Sequence, residues 1–351
     1  MPIRVAAIEV SHWHAIYDPA YLKQLHAMPN VELVGLQDPD LAVAQHRADA
    51  VGRPPVFADW QKMLHETKPD FVLVLGRHSE MAGVGHHLLD AGYPFMMEKP
   101  MGLNATEVQA LADKADACSG YAAVPFPQRR SPFAQHARTM LQQGAFGPLS
   151  HVYIRMNRFS SARYLAWNCP WMLDPRVSGG GCLRNLGTHG FDILAHLFDH
   201  DWQVTGAQMS AGAWGHAVED YVSVLLRSSQ GLLATVEIGN TYPRKTTEGG
   251  APAIPSRDRL LDGADGEWKI CGRDALLSAR DGQLRVVTAL DEEYLPGEPE
   301  GNPSFQLLSE ALNRWQHGLP PAVGVHDCLR AVKLVDQAYR LAGLDRHTPG
   351  A

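Results

Sequence analysis

Along the first third of the chain, short apolar runs alternate with segments whose apolar residues recur every three or four positions. Arg4–Ile8, Val31–Gln37, Phe71–Leu75, Pro94–Met97 and Tyr121–Val124 read as strands. The run Phe71–Leu75 has no polar member, which suits a strand buried on both faces. Between the strands, Pro19–Met28, Asp59–Glu66, Ser79–Asp90 and Ala105–Ala117 read as helices. Asp18 is expected to cap the first, with Pro19 at its first helical position. Ser79 is expected to cap the third, which ends at Gly92. Asn104 with Glu107 three positions on predicts a capping box for the fourth. Alternating strands and helices predict a parallel sheet with helices on both faces, joined by right-handed crossovers.

The pattern changes after Pro148. Leu149–Met156, Gln203–Met209, Tyr221–Leu226, Leu232–Glu237, Glu267–Ile270 and Leu284–Val287 read as strands with few helices between them. One helix is expected over Asn185–Leu197 and two more over Pro303–Trp315 and Val325–Leu341. Pro243–Arg257, rich in Gly, Pro, Thr and charge, reads as a mobile loop. The expected fold class is α/β: a Rossmann-like doubly wound parallel sheet over residues 1–125, then an α/β domain over 126–351 with a large, mostly antiparallel open sheet. The C-terminal helix is a candidate to pack back on the first domain.

Composition narrows the function classes. The 351 residues suit two domains, and 45% hydrophobic with 20% charged residues is globular. A net charge of -7 with no long basic run argues against a nucleic-acid partner. No apolar run is long enough to span a bilayer, and no signal peptide is visible. The cysteines (Cys118, Cys169, Cys182, Cys271, Cys328) are scattered, odd in number and without a CxxC pair, as expected of reduced thiols in a cytoplasmic protein.

Two segments carry candidate chemistry. Glu98-Lys99-Pro100 lies between a strand and a capped helix, at the carboxyl edge of the sheet where ligands bind in open α/β folds. A solvated turn lysine is the plain alternative. The second segment runs Gly179-Gly180-Gly181-Cys182-Leu183-Arg184-Asn185-Leu186-Gly187-Thr188-His189-Gly190-Phe191-Asp192. Its three leading glycines let the backbone come close to a ligand or to another strand. Spacings of four and three put Asn185, His189 and Asp192 on one face of a helix. A zinc role for His12-Trp13-His14 lacks an evident third ligand.

Taken together, these segments resemble the glucose-fructose oxidoreductase / inositol dehydrogenase (Gfo/Idh/MocA) family, whose pattern is Glu-Lys-Pro followed well downstream by Gly-Gly-Gly-x-Leu-x-Asp-x-Gly-x-His-x-x-Asp. Gln128–Gly147, Trp171, Glu219-Asp220-Tyr221-Val222 and Asp327–Ala342 match further landmarks. The resemblance implies NAD(P)-linked oxidation or reduction of a sugar, polyol or related polyhydroxylated molecule. Lys99 matches the family lysine near the nicotinamide, and His189 matches the family histidine that acts as acid/base or binds the reacting hydroxyl. The chemistry agrees: a histidine titrating near neutrality can take the hydroxyl proton, and an ammonium stabilises charge developing on oxygen.

The chain also departs from the family. Asn185 replaces the usual Asp, and an amide cannot act as a base. The loop Glu9-Val10-Ser11-His12-Trp13-His14 contains none of the glycines that let a backbone approach a pyrophosphate. Glu9 takes the first glycine's place and would repel phosphate unless it points away. Candidate cofactor residues are Ser11, His12, His14, Asp38, Arg77, His78, Glu98 and Lys99. Asp38, ending the second strand, reads equally as a turn or cap residue before Pro39 or as an acceptor from a ribose diol, which would favour NAD over NADP. Trp167, Trp171, Arg184, Asn185 and His189 are candidate substrate residues, together with Arg158 and Tyr164; for the aromatic and arginine members, packing between domains or a subunit contact is the plain alternative. A homodimer or homotetramer through an apolar face of the second sheet is expected. Two alternatives stay open: a non-redox sugar-binding or regulatory protein on this fold, and NAD-assisted lyase or glycosidase chemistry.

Overall fold

The computed structural model describes residues 1–16, 19–159, 164–165, 167, 169–242, 264–280, 282–297 and 299–344. The chain divides into two compact units. The first comprises Met1–Pro125, Trp167–Trp171 and Ser304–Leu329, and the second Phe126–Ala166, Met172–Pro303 and Arg330–Ala351.

In the first unit six strands form one parallel sheet: β1 (Ile3–Ile8), β2 (Val31–Gln37), β3 (Val56–Phe57), β4 (Phe71–Val74), β5 (Phe95–Met97) and β6 (Ala122–Ala123). Their order is β3-β2-β1-β4-β5-β6, the order of a dinucleotide-binding doubly wound sheet. β4 is buried along its whole length, as its unbroken apolar run predicts. Helices α1 (Tyr21–Ala27), α2 (Leu41–Asp49), α3 (Trp60–Thr67), α4 (His78–Asp90) and α5 (Ala105–Cys118) supply the crossovers. Asp59 caps α3 through Lys62 N. Asn104 accepts from Glu107 N at 3.0 Å while Glu107 accepts from Leu103 N at 2.8 Å, close to the expected capping box. Leu308, Ala311 and Leu312 of the late helix Pro303–Gln316 lie in the same core as Val5, Phe71 and Leu73.

Several local readings need correction. α1 begins at Tyr21 rather than Pro19, and its expected cap Asp18 lies outside the described residues. Ser79 sits inside α4; Arg77 precedes that helix and makes no side-chain cap. Helix α2, capped by Asp40, buries only Ala44, Arg47 and Ala48, too weak a stripe to show in the periodicity. The expected loop Pro243–Arg257 lies outside the described residues.

The second unit is built on an eight-stranded sheet: β7 (Leu149–Phe159), β8 (Trp202–Ser210), β9 (Tyr221–Ser228), β10 (Leu233–Tyr242), β11 (Ala264–Gly272), β12 (Ala275–Arg280), β13 (Gln283–Thr288) and β14 (Glu292–Pro296). The order is β14-β13-β12-β11-β7-β10-β9-β8, with only β7 and β10 parallel. One face carries Val152, Ile154, Val224, Val236 and Ile238, all buried. The helix Thr188–Leu197 lies on this face: a Cβ at Gly190 would meet Val236 Cγ1 at 3.1 Å and Ile154 Cγ2 at 3.6 Å. The other face mixes polar side chains with the exposed Leu225 and Leu233, in place of the apolar surface expected. Tyr153 Oη donates to Glu237 at 2.5 Å, and Arg155 pairs with Asp265 at 2.8 Å.

The expected helix Asn185–Leu197 is two pieces. Leu183–Gly187 is a π-helical turn, and the α-helix starts at Thr188. The wider turn breaks the simple spacing of Asn185, His189 and Asp192. π-Turns of this kind recur at functional sites.

Candidate active site

Strand β5 delivers Glu98 and Lys99 to the carboxyl edge of the parallel sheet, and Glu98 N still donates to Val74 O at 2.9 Å. Both side chains are buried. The Glu98 carboxylate accepts from His14 Nδ1 at 2.7 Å. Burial alone would push the Glu98 carboxyl up; His14, Lys99 and the Tyr21 hydroxyl outweigh it and hold the group below its usual range. Glu98 is therefore an ionised acceptor, and His14 must hold its proton on Nδ1 to bond it. Beside it, His12 Nδ1 accepts from His14 N at 3.1 Å, which puts the proton of neutral His12 on Nε2. Burial lowers the affinity of His12 for a second proton, and the neighbouring His14, Lys99 and His78 lower it further. His12 stays neutral, so it adds no positive charge for a phosphate.

The loop after β1 turns at Glu9, whose φ of 57° is the left-handed conformation a glycine would adopt there. Its carboxylate accepts from Arg77 N at 2.7 Å, from Nη2 at 2.7 Å and from Nε at 3.3 Å. Glu9 is thus turned onto the start of α4 and neutralised. The loop amides are engaged within the chain: Glu9 N on Gln37 Oε1, Val10 N on Gln37 O, Ser11 N on Asp38 Oδ2, His12 N on Glu9 O, His14 N on His12 Nδ1 and Ala15 N on His12 O. Asp38, buried, also accepts from Asp40 N. Trp13 stacks near parallel to Trp167 at 5.8 Å and Trp171 at 6.5 Å. His78, first residue of α4, meets Trp171 edge-on at 5.2 Å. Trp167 and Trp171 belong to this aromatic cluster.

In the second unit the glycines serve packing. A Cβ at Gly181 would fall 2.1 Å from the backbone oxygen of Glu219, and one at Gly180 would strike the Tyr339 hydroxyl. Glu219 Oε1 ties the turn down, accepting from Gly181 N at 2.8 Å, Leu183 N at 3.1 Å and Tyr339 Oη at 2.6 Å. Arg184, expected to bind substrate, is fully buried instead. Its guanidinium pairs with Asp336 at 2.7 Å and lies over the Tyr339 ring. Asn185 Nδ2 donates to Tyr164 Oη at 2.9 Å. Asp192 grips Arg129 through two bonds of 2.8 and 2.5 Å. His189 stands edge-on to Phe126 at 5.9 Å. Among the described residues no cluster of three or more His, Cys, Asp and Glu side chains could hold a metal, and no helix is long and apolar enough to cross a membrane.

Both halves of the chain match known family profiles. Residues 15–124 match one described as an oxidoreductase family, NAD-binding Rossmann fold, and residues 134–272 match the GFO/IDH/MocA C-terminal domain. The chain belongs to the Gfo/Idh/MocA oxidoreductase family. Among its relatives, D-glucoside 3-dehydrogenase of Escherichia coli is 27% identical over 241 residues, 62% of this chain and 65% of that protein. The match thus spans just under two thirds of that relative's length. The rhizopine catabolism protein MocA of Rhizobium meliloti is 24% identical over 307 residues, covering 81% of this chain and 89% of MocA. An inositol dehydrogenase homolog from Azotobacter vinelandii, solved with NAD+, shares the fold with a TM-score of 0.79 at 17% identity, covering 98% of this chain and 96% of that one.

The family's NAD-binding domain is present, and its profile begins just past the altered loop. The residues here fit a dinucleotide held differently from the glycine-loop pattern. With the loop amides engaged, a diphosphate would be held by side chains, and Arg77 at the start of α4 is the cation at hand. Asp38 directly follows β2, where a ribose diol would lie. Sequence reasoning missed the Glu9–Arg77, Glu98–His14 and Arg129–Asp192 pairs. For the first, the available signal was opposite charge at the carboxyl ends of adjacent strands β1 and β4.

Proposed function

We propose that the chain oxidises, or in reverse reduces, a CH–OH group of a sugar, polyol or related polyhydroxylated molecule, with NAD as the hydride partner. The observation that carries this reading is the placement of Lys99: a buried ammonium immediately after β5, at the carboxyl edge of a sheet ordered β3-β2-β1-β4-β5-β6. An ammonium there stabilises negative charge developing on the substrate oxygen as its proton leaves. The nicotinamide supplies the hydride acceptor. The family likeness makes His189 the histidine that acts as acid/base or hydrogen-bonds the reacting hydroxyl. Asp38 favours NAD over NADP, because a carboxylate repels a 2′-phosphate. The relatives' names, glucoside and inositol dehydrogenases, support a polyhydroxylated substrate.

A non-redox, carbohydrate-binding role is the second reading, favoured by the engaged amides of the loop from Glu9 to Ala15. Titration with NAD+ followed by tryptophan fluorescence, then NADH formation with methyl β-D-glucoside and myo-inositol, separates the two. Saturable NAD+ binding with turnover of either probe supports the dehydrogenase. Sugar binding without any dinucleotide binding overturns it. We also propose that the exposed face of the eight-stranded sheet, with Leu225 and Leu233 among its polar side chains, joins copies of the chain into a homodimer or homotetramer. Its Tyr153, Arg155 and Tyr221 are side chains of the types enriched at interfaces.

A further inference from the structure

Four side chains of the second unit form a closed circuit of contacts around His189. The α-helix Thr188–Leu197 carries His189 and Asp192 three positions apart, so they are neighbours on its surface, and both are buried. Asp192 is gripped by Arg129, through Nε at 2.8 Å and Nη2 at 2.5 Å. Arg129 belongs to the 3-10 turn Pro127–Arg130, and its amide donates to Phe126 O at 3.2 Å, closing the turn on Phe126. The guanidinium carbon also lies 5.8 Å from the centre of the Phe126 ring. That ring, fully buried, meets the His189 imidazole edge-on at 5.9 Å, with the planes at 86°.

We propose that Arg129 is a positioning residue for His189 in the oxidation proposed above, on which this inference rests. Its pair with Asp192 locks the turn that holds Phe126 against the imidazole. An edge-on ring contact is weak and tolerates a wide range of angles, so alone it does not fix an imidazole. A guanidinium joined to a carboxylate by two bonds sets both distance and plane. Arg129 is 10% exposed and Asp192 1%, so water competes little for either partner. A lysine would bring the charge but only a point contact. The pair ties together two segments 63 positions apart, the turn with Phe126 and the helix with His189. Whether it bonds the reacting hydroxyl or takes its proton, the histidine must stand within hydrogen-bond reach of it. A misplacement of about 1 Å costs on the order of 10²-fold in rate.

The test uses the full chain. Arg129→Lys and the double variant Arg129→Met with Asp192→Leu are compared with wild type in urea midpoint, NAD+ affinity, kcat and KM. The substrate is methyl β-D-glucoside or myo-inositol, whichever turns over. The double variant removes both charges together and leaves no unpaired buried carboxylate, so its urea midpoint should stay near that of wild type. In both variants kcat should fall about 10-fold or more, with KM and NAD+ affinity within about threefold. A pair that served folding alone would give turnover back in the stable double variant. Independently of turnover, the His189 ring protons, identified as the NMR signals missing from His189→Gln, should shift in Arg129→Lys, because the field of the Phe126 ring at those protons changes with their separation. If the double variant fails to fold, Arg129→Lys carries both readouts. The proposal is overturned if kcat in the stable double variant equals that of wild type, or if the His189 ring signals are unmoved in Arg129→Lys. Wild-type protein that turns over neither probe overturns the dehydrogenase reading, and the role in oxidation with it, whereas unmoved ring signals in an active enzyme overturn the positioning role alone.

Discussion

The turn at Gly179–Gly181 and the loop at Glu9–Ala15 exchange the roles their compositions suggest. The turn has the glycines of a ligand cradle, yet its backbone presses on Glu219 and Tyr339 of its own unit. The loop has no glycine, yet it stands at the carboxyl edge of the parallel sheet among Lys99, Glu98, His12 and His14. Glycine reports that something comes close; only packing says whether that thing is protein or ligand. Conversely, a left-handed turn can be made by Glu9, at a cost of roughly 1–2 kcal/mol, when an ion pair and two backbone bonds hold it.

The sharpest way to break this contrast is Gly181→Ala. The added methyl would lie 2.1 Å from a backbone oxygen that cannot swing aside. We expect a loss of about 3 kcal/mol, the upper end for overpacking, seen as a lower urea midpoint. A normal midpoint with impaired ligand binding would return the glycines to a ligand role. On the loop side, Lys99→Ala should cut turnover by at least about 10²-fold, near 2.7 kcal/mol, while the urea midpoint changes little. Undiminished turnover would take the lysine out of the chemistry.

A smaller effect tests whether the loop is a buried, neutral structure. His12 in the folded chain binds a proton only well below 6.5, whereas the unfolded chain binds one at the ordinary value. Stability from this residue is complete above about pH 6.5 and declines as pH falls, with a slope of at most about 1.4 kcal/mol per pH unit. Glu98, also held below its usual value, loses its contribution only at lower pH, through and below the ordinary carboxyl range. His12→Asn keeps an acceptor for His14 N and should flatten the decline between pH 6.5 and 5 in chemical unfolding. An unchanged slope would mean that the proton is taken elsewhere. The smallest expected effect is that of Glu9→Gln. It frees Arg77 for a diphosphate and should tighten NAD+ binding several-fold, about 1 kcal/mol. Weaker binding would show that the pair supports the site by holding α4 in place.

The sequence made the first sheet readable because parallel strands buried on both faces leave unbroken apolar runs, as at Phe71–Val74. Lys99 was legible because its motif sits between a strand end and a capped helix. The Glu9–Arg77 pair was not, since the partners are 68 positions apart and meet only because β1 and β4 are neighbours. Asn185 and His189 seemed one helical face until the π-turn at Leu183–Gly187 intervened, and a single widened turn leaves no periodic signature. Arg184 stood among the candidate substrate residues because it lies within the second motif segment. Its carboxylate partner Asp336 lies on a distant helix.

The late segment Ser304–Leu329 belongs to the first unit, and this matters while the chain is being made. Tyr121 Oη donates to Ala311 O, Val124 N donates to Val323 O, and Leu308 and Leu312 complete the core around Phe71. A nascent chain that has released residues 1–125 therefore holds all six strands of its sheet with part of one apolar surface bare. It must wait for nearly two hundred further residues before that surface is covered. During this interval the exposed side is open to chaperones and to other nascent chains. Residues around Leu308 act as a closing step in synthesis, and release of the last residues of this segment sets the earliest moment at which the NAD-binding half can be native.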